Sequence, residues 1–152
     1  MIYLKKILVP TDLSQVSLAA MEHAASIGLL YGSRLYFLHV VEHGTGGGAH
    51  GREAEKELEE FIAGNVKPEL KLVPITRKGN PAAEIIAFAE EEGIDLIVMA
   101  THGRTGLSHM VMGSVAEKVV RLSRVPVLTV KPPQMTEQIM EDEDIESELH
   151  LR

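Results

Sequence analysis

The sequence predicts a three-layer α/β fold, with helices packed on both faces of a parallel sheet. Two observations carry that prediction. Five short runs rich in Val, Ile and Leu recur along the chain, at Lys6–Pro10, Arg34–Val41, Leu70–Ile75, Asp95–Ala100 and Val125–Val130. Apolar runs of this length are how strands buried on both faces read. Stretches of helical period lie between them, and the alternation β-α-β-α-β-α-β-α-β calls for parallel strands joined by crossover helices.

Taken in order, Lys6–Pro10 is the first strand. Val16, Ala20, Ala24, Ile27 and Tyr31 then fall at steps of four, four, three and four, as one helical face should. After the second strand, His43–Gly51 (HGTGGGAHG) reads as a loop, and Arg52–Ala63 as a charged, weakly amphipathic helix. Behind the third strand, Asn80 and Pro81 supply a cap and a first-turn proline for a helix over Ala82–Glu92, with Gly93 just past its end. After the fourth, Ser114-Val115-Ala116-Glu117 has the form of a capping box opening a helix through Leu122.

At 152 residues the chain has room for one domain. That domain is expected over 1–131, followed by an acidic, disordered tail over 132–152. The charge supports the division. Of a formal net charge of −7, the stretch 131–152 contributes −5, from seven acidic and two basic side chains; residues 1–130 hold 15 acidic and 13 basic groups, net −2. An acidic chain lacks the basic footprint of a nucleic-acid surface, yet its nearly neutral body leaves room for an anionic ligand. There is no cysteine, which excludes a disulfide scaffold, a zinc ribbon and a thiol nucleophile together. No run approaches the ~20 apolar residues of a membrane span, and no signal peptide is visible, so no membrane partner and a cytoplasmic location are expected.

Several chemistries fail on spacing. Gly44-Thr45-Gly46-Gly47-Gly48-Ala49 matches GxGxxA, but Glu42-His43 separate it from the strand, and Glu69 precedes the next strand instead of ending it. A phosphorylatable receiver is excluded because the third strand ends Val73-Pro74-Ile75-Thr76-Arg77, with no acceptor aspartate. His43 and His50, like His102 and His109, are seven apart, against three or four for a helical metal pair. There is no Walker A sequence and no GxSxG nucleophile.

The segment Ala100–Glu117 (ATHGRTGLSHMVMGSVAE) is the exception. It leaves a buried strand, passes Gly103 and Gly106, and reaches Gly113-Ser114 at a helix start. Glycines let the backbone approach a ligand, and a helix start presents unpaired N–H groups with about half a positive charge. This spacing suits an anion site, and equally suits glycines serving turns with Ser114 as a plain cap. Asp12, at the end of the first strand, is an acceptor for an amine or a ribose hydroxyl, or else the cap of the following helix.

Ile7-Leu8-Val9-Pro10-Thr11-Asp12-Leu13-Ser14, His39-Val40, Gly79-Asn80-Pro81, Ala100-Thr101-His102-Gly103-Arg104, Gly113-Ser114 and Val125-Pro126-Val127 together resemble the universal stress protein family over Tyr3–Lys131. The resemblance implies a Rossmann-like fold with strand order 3-2-1-4-5, a homodimer, and, in one branch, binding of ATP or AMP in a stress-response or signalling role. That branch carries G-x2-G-x9-G-[ST]; here Gly103, Gly113 and Ser114 match, and Ala100 stands at the first glycine position. The extra methyl costs about 1–2 kcal/mol if φ there is positive and little if the backbone is extended.

Carried over by position, Pro10, Thr11, Asp12 and the backbone of Val40 hold the adenosine. Met99, Ala100, His102, Gly103, Arg104, Gly113, Ser114 and the Val115 amide line the phosphate side. Mg²⁺ would accompany a triphosphate, no protein metal site being visible. The last strand, with Val125, Val127, Leu128 and Val130, is the implied dimer interface, since an apolar edge strand invites pairing with another chain. No poised base or nucleophile is visible, so at most slow ATP hydrolysis is expected. The alternative within the family is a nucleotide-independent dimeric adaptor, with Ala100 marking a lost site.

Overall fold

The computed structural model describes residues 1–42, 49–102 and 112–132. In chain order the elements are β1 (Lys6–Pro10), a 3₁₀ turn (Gln15–Ser17), α1 (Leu18–Tyr31), β2 (Arg34–Val41), α2 (Ala49–Asn65), β3 (Lys71–Lys78), α3 (Pro81–Glu91), β4 (Leu96–Ala100), α4 (Ser114–Leu122) and β5 (Val127–Val130). The strands form one parallel sheet in the order β3-β2-β1-β4-β5, as the family resemblance implies. The sequence order reverses direction at β1, so the carboxyl ends of β1 and β4 flank the crevice where such sheets take ligands.

Alternation along each strand divides the core in two. Ile7, Val9, Leu35, Phe37 and Val98 face one side, where Ala20, Met21 and Ala24 of α1 and Leu58 and Ile62 of α2 cover them. Leu8, Tyr36, Leu38, Ile97 and Met99 face the other, under Ala82, Ile85, Phe88 and Ala89 of α3 and Ala116 and Val119 of α4. Each cluster is buried from both directions, which is why the strand sequences are apolar throughout.

The buried stripe of α1 runs through Ala20, Met21, Ala24 and Gly28. Val16 and Ile27 are half-buried, and Tyr31, expected on this face, is 63% exposed. The stripe is set by small residues that let the helix lie close to the sheet: a Cβ on Gly28 would stand 3.1 Å from Leu35 Cδ2. The expected spacing finds Ala20 and Ala24 on this face but passes over Gly28, which has no apolar bulk to weigh.

Other boundaries shift for local reasons. β3 runs to Lys78, beyond the expected Ile75, because Thr76, Arg77 and Lys78 still pair with His39, Val40 and Val41 although they are polar. β5 starts at Val127, two residues late. β4 starts at Leu96, where Asp95 turns its carboxylate back to accept from the Lys5 and Lys6 amides, both at 2.9 Å. α2 begins at Ala49, so Ala49–Gly51 of the expected loop are helical, while residues 43–48 lie outside the described residues. Of the expected tail, Pro132 is buried and residues 133–152 lie outside the described residues.

Candidate functional site

The carboxyl ends of β1, β2 and β4 and the amino ends of α3 and α4 enclose a cavity of about 450 Å³, within the range of small-molecule sites. Pro10, Thr11, Asp12, Val40, Met99, Ala100, His102, Gly113, Ser114 and Val115 all line it. Ten of the twelve residues predicted for binding are thus brought together from four elements. The other two, Gly103 and Arg104, lie outside the described residues.

The wall at the end of β1 is built by side chains acting on backbone. Ser17 Oγ donates to the Ser14 carbonyl at 2.7 Å, so its link to Thr11 Oγ1, 2.9 Å long, is donated by the threonine hydroxyl. Thr11 Oγ1 in turn accepts from the Leu13 amide at 3.1 Å. Every hydrogen in this chain is assigned, and Thr11 and Ser17 are buried at 6% and 4% exposure. The turn carries Leu13 at φ +64°, a left-handed conformation that costs a branched residue about 1–3 kcal/mol and must be held by its surroundings.

Asp12 Oδ1 accepts from the Ser14 amide at 3.0 Å and from the Ser14 hydroxyl, an Asx turn that anchors the carboxylate on the cavity wall. It caps no helix: α1 begins at Leu18, after the 3₁₀ turn.

On the opposite wall, Thr101 follows β4 and is fixed on both backbone sides. Its amide donates to the Val130 carbonyl at 3.0 Å, and its carbonyl accepts from Gly113 at 2.7 Å. The second bond brings the chain back beside β4 to start α4 at the cavity. The N-cap of α4 is Gly113, with φ −56° and ψ 151° and no capping side chain; Ser114 is the first helical residue. This corrects the expected capping box. Glu117 pairs with Arg121 at 3.2 Å instead of reaching back to the cap. Among the described residues no side chain caps the first-turn amides, and Gly113 to Ala116 line the cavity. Ala100 lies in β4, and among the described residues Leu13 is the one non-glycine with positive φ, so the added methyl carries no backbone strain.

Among the lining residues that sequence reasoning missed are His39, Thr101, Pro81 and Ile85. His39 stood in a quoted motif without a role. Pro81 and Ile85 arrive through α3, whose cap Asn80 Oδ1 accepts from the Ala83 amide at 3.1 Å. A proline and an isoleucine one helical turn apart read as core in any sequence.

The predicted interface residues divide. β5 is an edge strand, with Leu128 37% exposed; Val125 and Val127 are half-buried against the core, and Val130 is inside it at 8%. Val130 therefore offers a partner its backbone and not its side chain. Among the described residues no group of three or more His, Asp or Glu side chains could hold a metal ion, and no helix is long and apolar enough to cross a membrane.

The universal stress protein family model matches residues 4–131. Universal stress protein MJ0531 of Methanocaldococcus jannaschii is 37% identical over 142 residues, covering 86% of this chain and 84% of its own length. The solved structure of MJ0577, a universal stress protein of the same organism, matches with a TM-score of 0.75 at 31% identity, over 86% of this chain and 97% of that one. A universal stress protein from Archaeoglobus fulgidus, solved in complex with dAMP, matches with a TM-score of 0.67 over 86% of this chain and all of its own, and at 23% identity shares the fold. Sheet order, site segments and these similarities agree: the chain belongs to the universal stress protein family.

Proposed function

We propose that this protein is a homodimeric stress-response or signalling module whose state is set by an adenine nucleotide in the cavity between β1 and β4. The observation that carries the reading is the polarity of the cavity's two ends. At one, the carboxylate of Asp12 and the backbone of Val40 offer an acceptor for ribose hydroxyls and a donor-acceptor pair of the kind an adenine edge requires. At the other, the α4 amides, which no side chain caps among the described residues, suit phosphate. Apolar Pro10, Ile85 and Met99 line the cavity alongside these groups. Of the two residues outside the described set, Arg104 would add a cation to the phosphate end. Mg²⁺ would arrive with a triphosphate, bound to its oxygens. Strand backbone at Ala100 supports the reading that its methyl is accommodated in the site.

Thermal shift tests the reading. Ligand at 100 times its Kd adds about 2.7 kcal/mol, and each kcal/mol moves the midpoint about 2–4 °C in a domain of this size. AMP or ATP at 100 times its Kd should therefore raise the Tm by about 5–11 °C, and Gly113→Val should remove the shift. No shift with any adenine nucleotide, and none in an acid extract of the purified protein, would leave the nucleotide-independent adaptor. Dimerisation is proposed through β5, where Leu128→Glu should convert a dimer to a monomer in sedimentation.

A further inference from the structure

The β1–β2 ladder stops one rung short of where its register would carry it, and two side chains do the stopping. Pro10 pairs with Leu38, and the Thr11 amide donates to the Leu38 carbonyl at 2.9 Å. In a parallel pair the next two bonds would run from the Val40 amide to the Thr11 carbonyl and from the Leu13 amide to the Val40 carbonyl. Neither forms. The Thr11 carbonyl, which can only accept, takes the Nδ1 proton of His39 at 3.0 Å, and the Leu13 amide goes to Thr11 Oγ1.

Backbone direction alternates along a strand. Leu38 bonds toward β1, and Val41 accepts from Gly79 on the β3 side at 2.9 Å, so both backbone groups of Val40 point toward β1, past its end. Val40 lines the cavity there. We infer that His39 is a positioning residue: by occupying the Thr11 carbonyl it prevents the ladder from closing and keeps the Val40 N–H and C=O open as the edge that reads a ligand's base. Thr11 Oγ1 does the same for the Val40 carbonyl. A donor beside an acceptor matches N1 and the 6-amino group of adenine, and mismatches the N1–H and 6-oxo group of a hypoxanthine base. The choice of base rests on the nucleotide reading above; the open ladder does not.

Amide exchange followed by NMR on the ligand-free protein tests the ladder directly. In the wild type the Val40 amide should exchange at least about a hundredfold faster than that of Leu38, two residues away in the same strand. His39→Leu frees the Thr11 carbonyl to capture it, so Val40 should become protected. His39→Asn keeps a donor at the Nδ1 position and should leave Val40 open. Equal protection of Val40 and Leu38 in the wild type overturns the inference, whether or not any nucleotide binds. Titration with AMP and IMP is the second arm. His39→Leu should weaken AMP at least about tenfold and bring the AMP-to-IMP affinity ratio toward one, with His39→Asn restoring both. An unchanged ratio in His39→Leu, or equal loss in both variants, also overturns it. Failure of wild-type protein to bind AMP, with Val40 open, refutes the nucleotide reading alone.

Discussion

Thr11→Val isolates the hydroxyl that organises the cavity wall. The two side chains have nearly the same shape, so the packing of a residue only 6% exposed is kept while its polar contacts go. Two hydrogen bonds disappear: Leu13 N–H to Oγ1 at 3.1 Å and Oγ1–H to Ser17 at 2.9 Å. Ser17 keeps its own donation to the Ser14 carbonyl, so its proton is not orphaned. The Leu13 amide loses its native partner, in a turn already held at φ +64°, and regains one only where the turn shifts far enough to reach the Val40 carbonyl. A partly buried donor left without its partner costs about 1–3 kcal/mol. Taking ~2 kcal/mol and about 2–4 °C per kcal/mol, the Tm should fall by roughly 4–8 °C. Differential scanning calorimetry measures it, with urea unfolding as the check: the midpoint should fall at constant slope. Thr11→Ser, which keeps the hydroxyl and loses one buried methyl, should cost about 1 kcal/mol. A Thr11→Val variant melting within one degree of wild type, or above Thr11→Ser, would refute the hydrogen-bond chain as the support of this turn.

Three further outcomes follow from the connection that places α3. Asn80→Ala removes the cap on the Ala83 amide and should cost about 0.5–2 kcal/mol by thermal unfolding, with Asn80→Asp largely neutral. Gly79 has φ +152°, and a Cβ there would meet Glu84 Cγ and Oε1 at 3.0 Å. Gly79→Ala should therefore destabilise by about 1–2 kcal/mol, and should weaken ligand binding as well, because Pro81 and Ile85 of the displaced helix line the cavity. The third concerns pH. The Arg77 guanidinium bonds to Glu91 and holds its carboxyl below the usual glutamate range, with Glu84 3.5 Å away on the same arginine. A carboxylate depressed on folding adds stability that is present above its unfolded value, about pH 4.3, and is lost as the pH falls through the folded one. Glu91→Gln should therefore lower stability at pH 7 and flatten its decline in acid unfolding below about pH 4.3, whereas an unchanged acid profile would show that the pair is not coupled to folding.

The five strands were readable because both faces of each inner strand are buried, which leaves a continuous apolar signal. Lys6–Pro10 and Arg34–Val41 need no adjustment at all. Where burial and pairing part company the signal ended early, as at Thr76–Lys78 in the edge strand β3. The face of α1 was legible through Ala20 and Ala24, with Val16 and Ile27 packed against the same core; Tyr31 departs from it, and Gly28, which carries no apolar bulk, joins it. Ser114 has every local attribute of a cap, yet the Gly113 bond to the Thr101 carbonyl fixes the helix start one residue earlier.

By itself the sequence determined the α/β alternation, the family and ten of the lining residues, because each is written in local pattern: apolar runs, caps, glycines and the residues that end strands. Tertiary structure alone decided how those residues act. The release of Val40 from the ladder depends on a histidine of β2 reaching a carbonyl that follows β1, 28 positions away in sequence. Such a bond forms only after the strands have paired in register. The openness of the α4 amides likewise depends on where Thr101 returns the chain, and the side chain of Val130 is taken into the core cluster that α1 covers. These are consequences of contact between distant segments, and no window along the chain contains them.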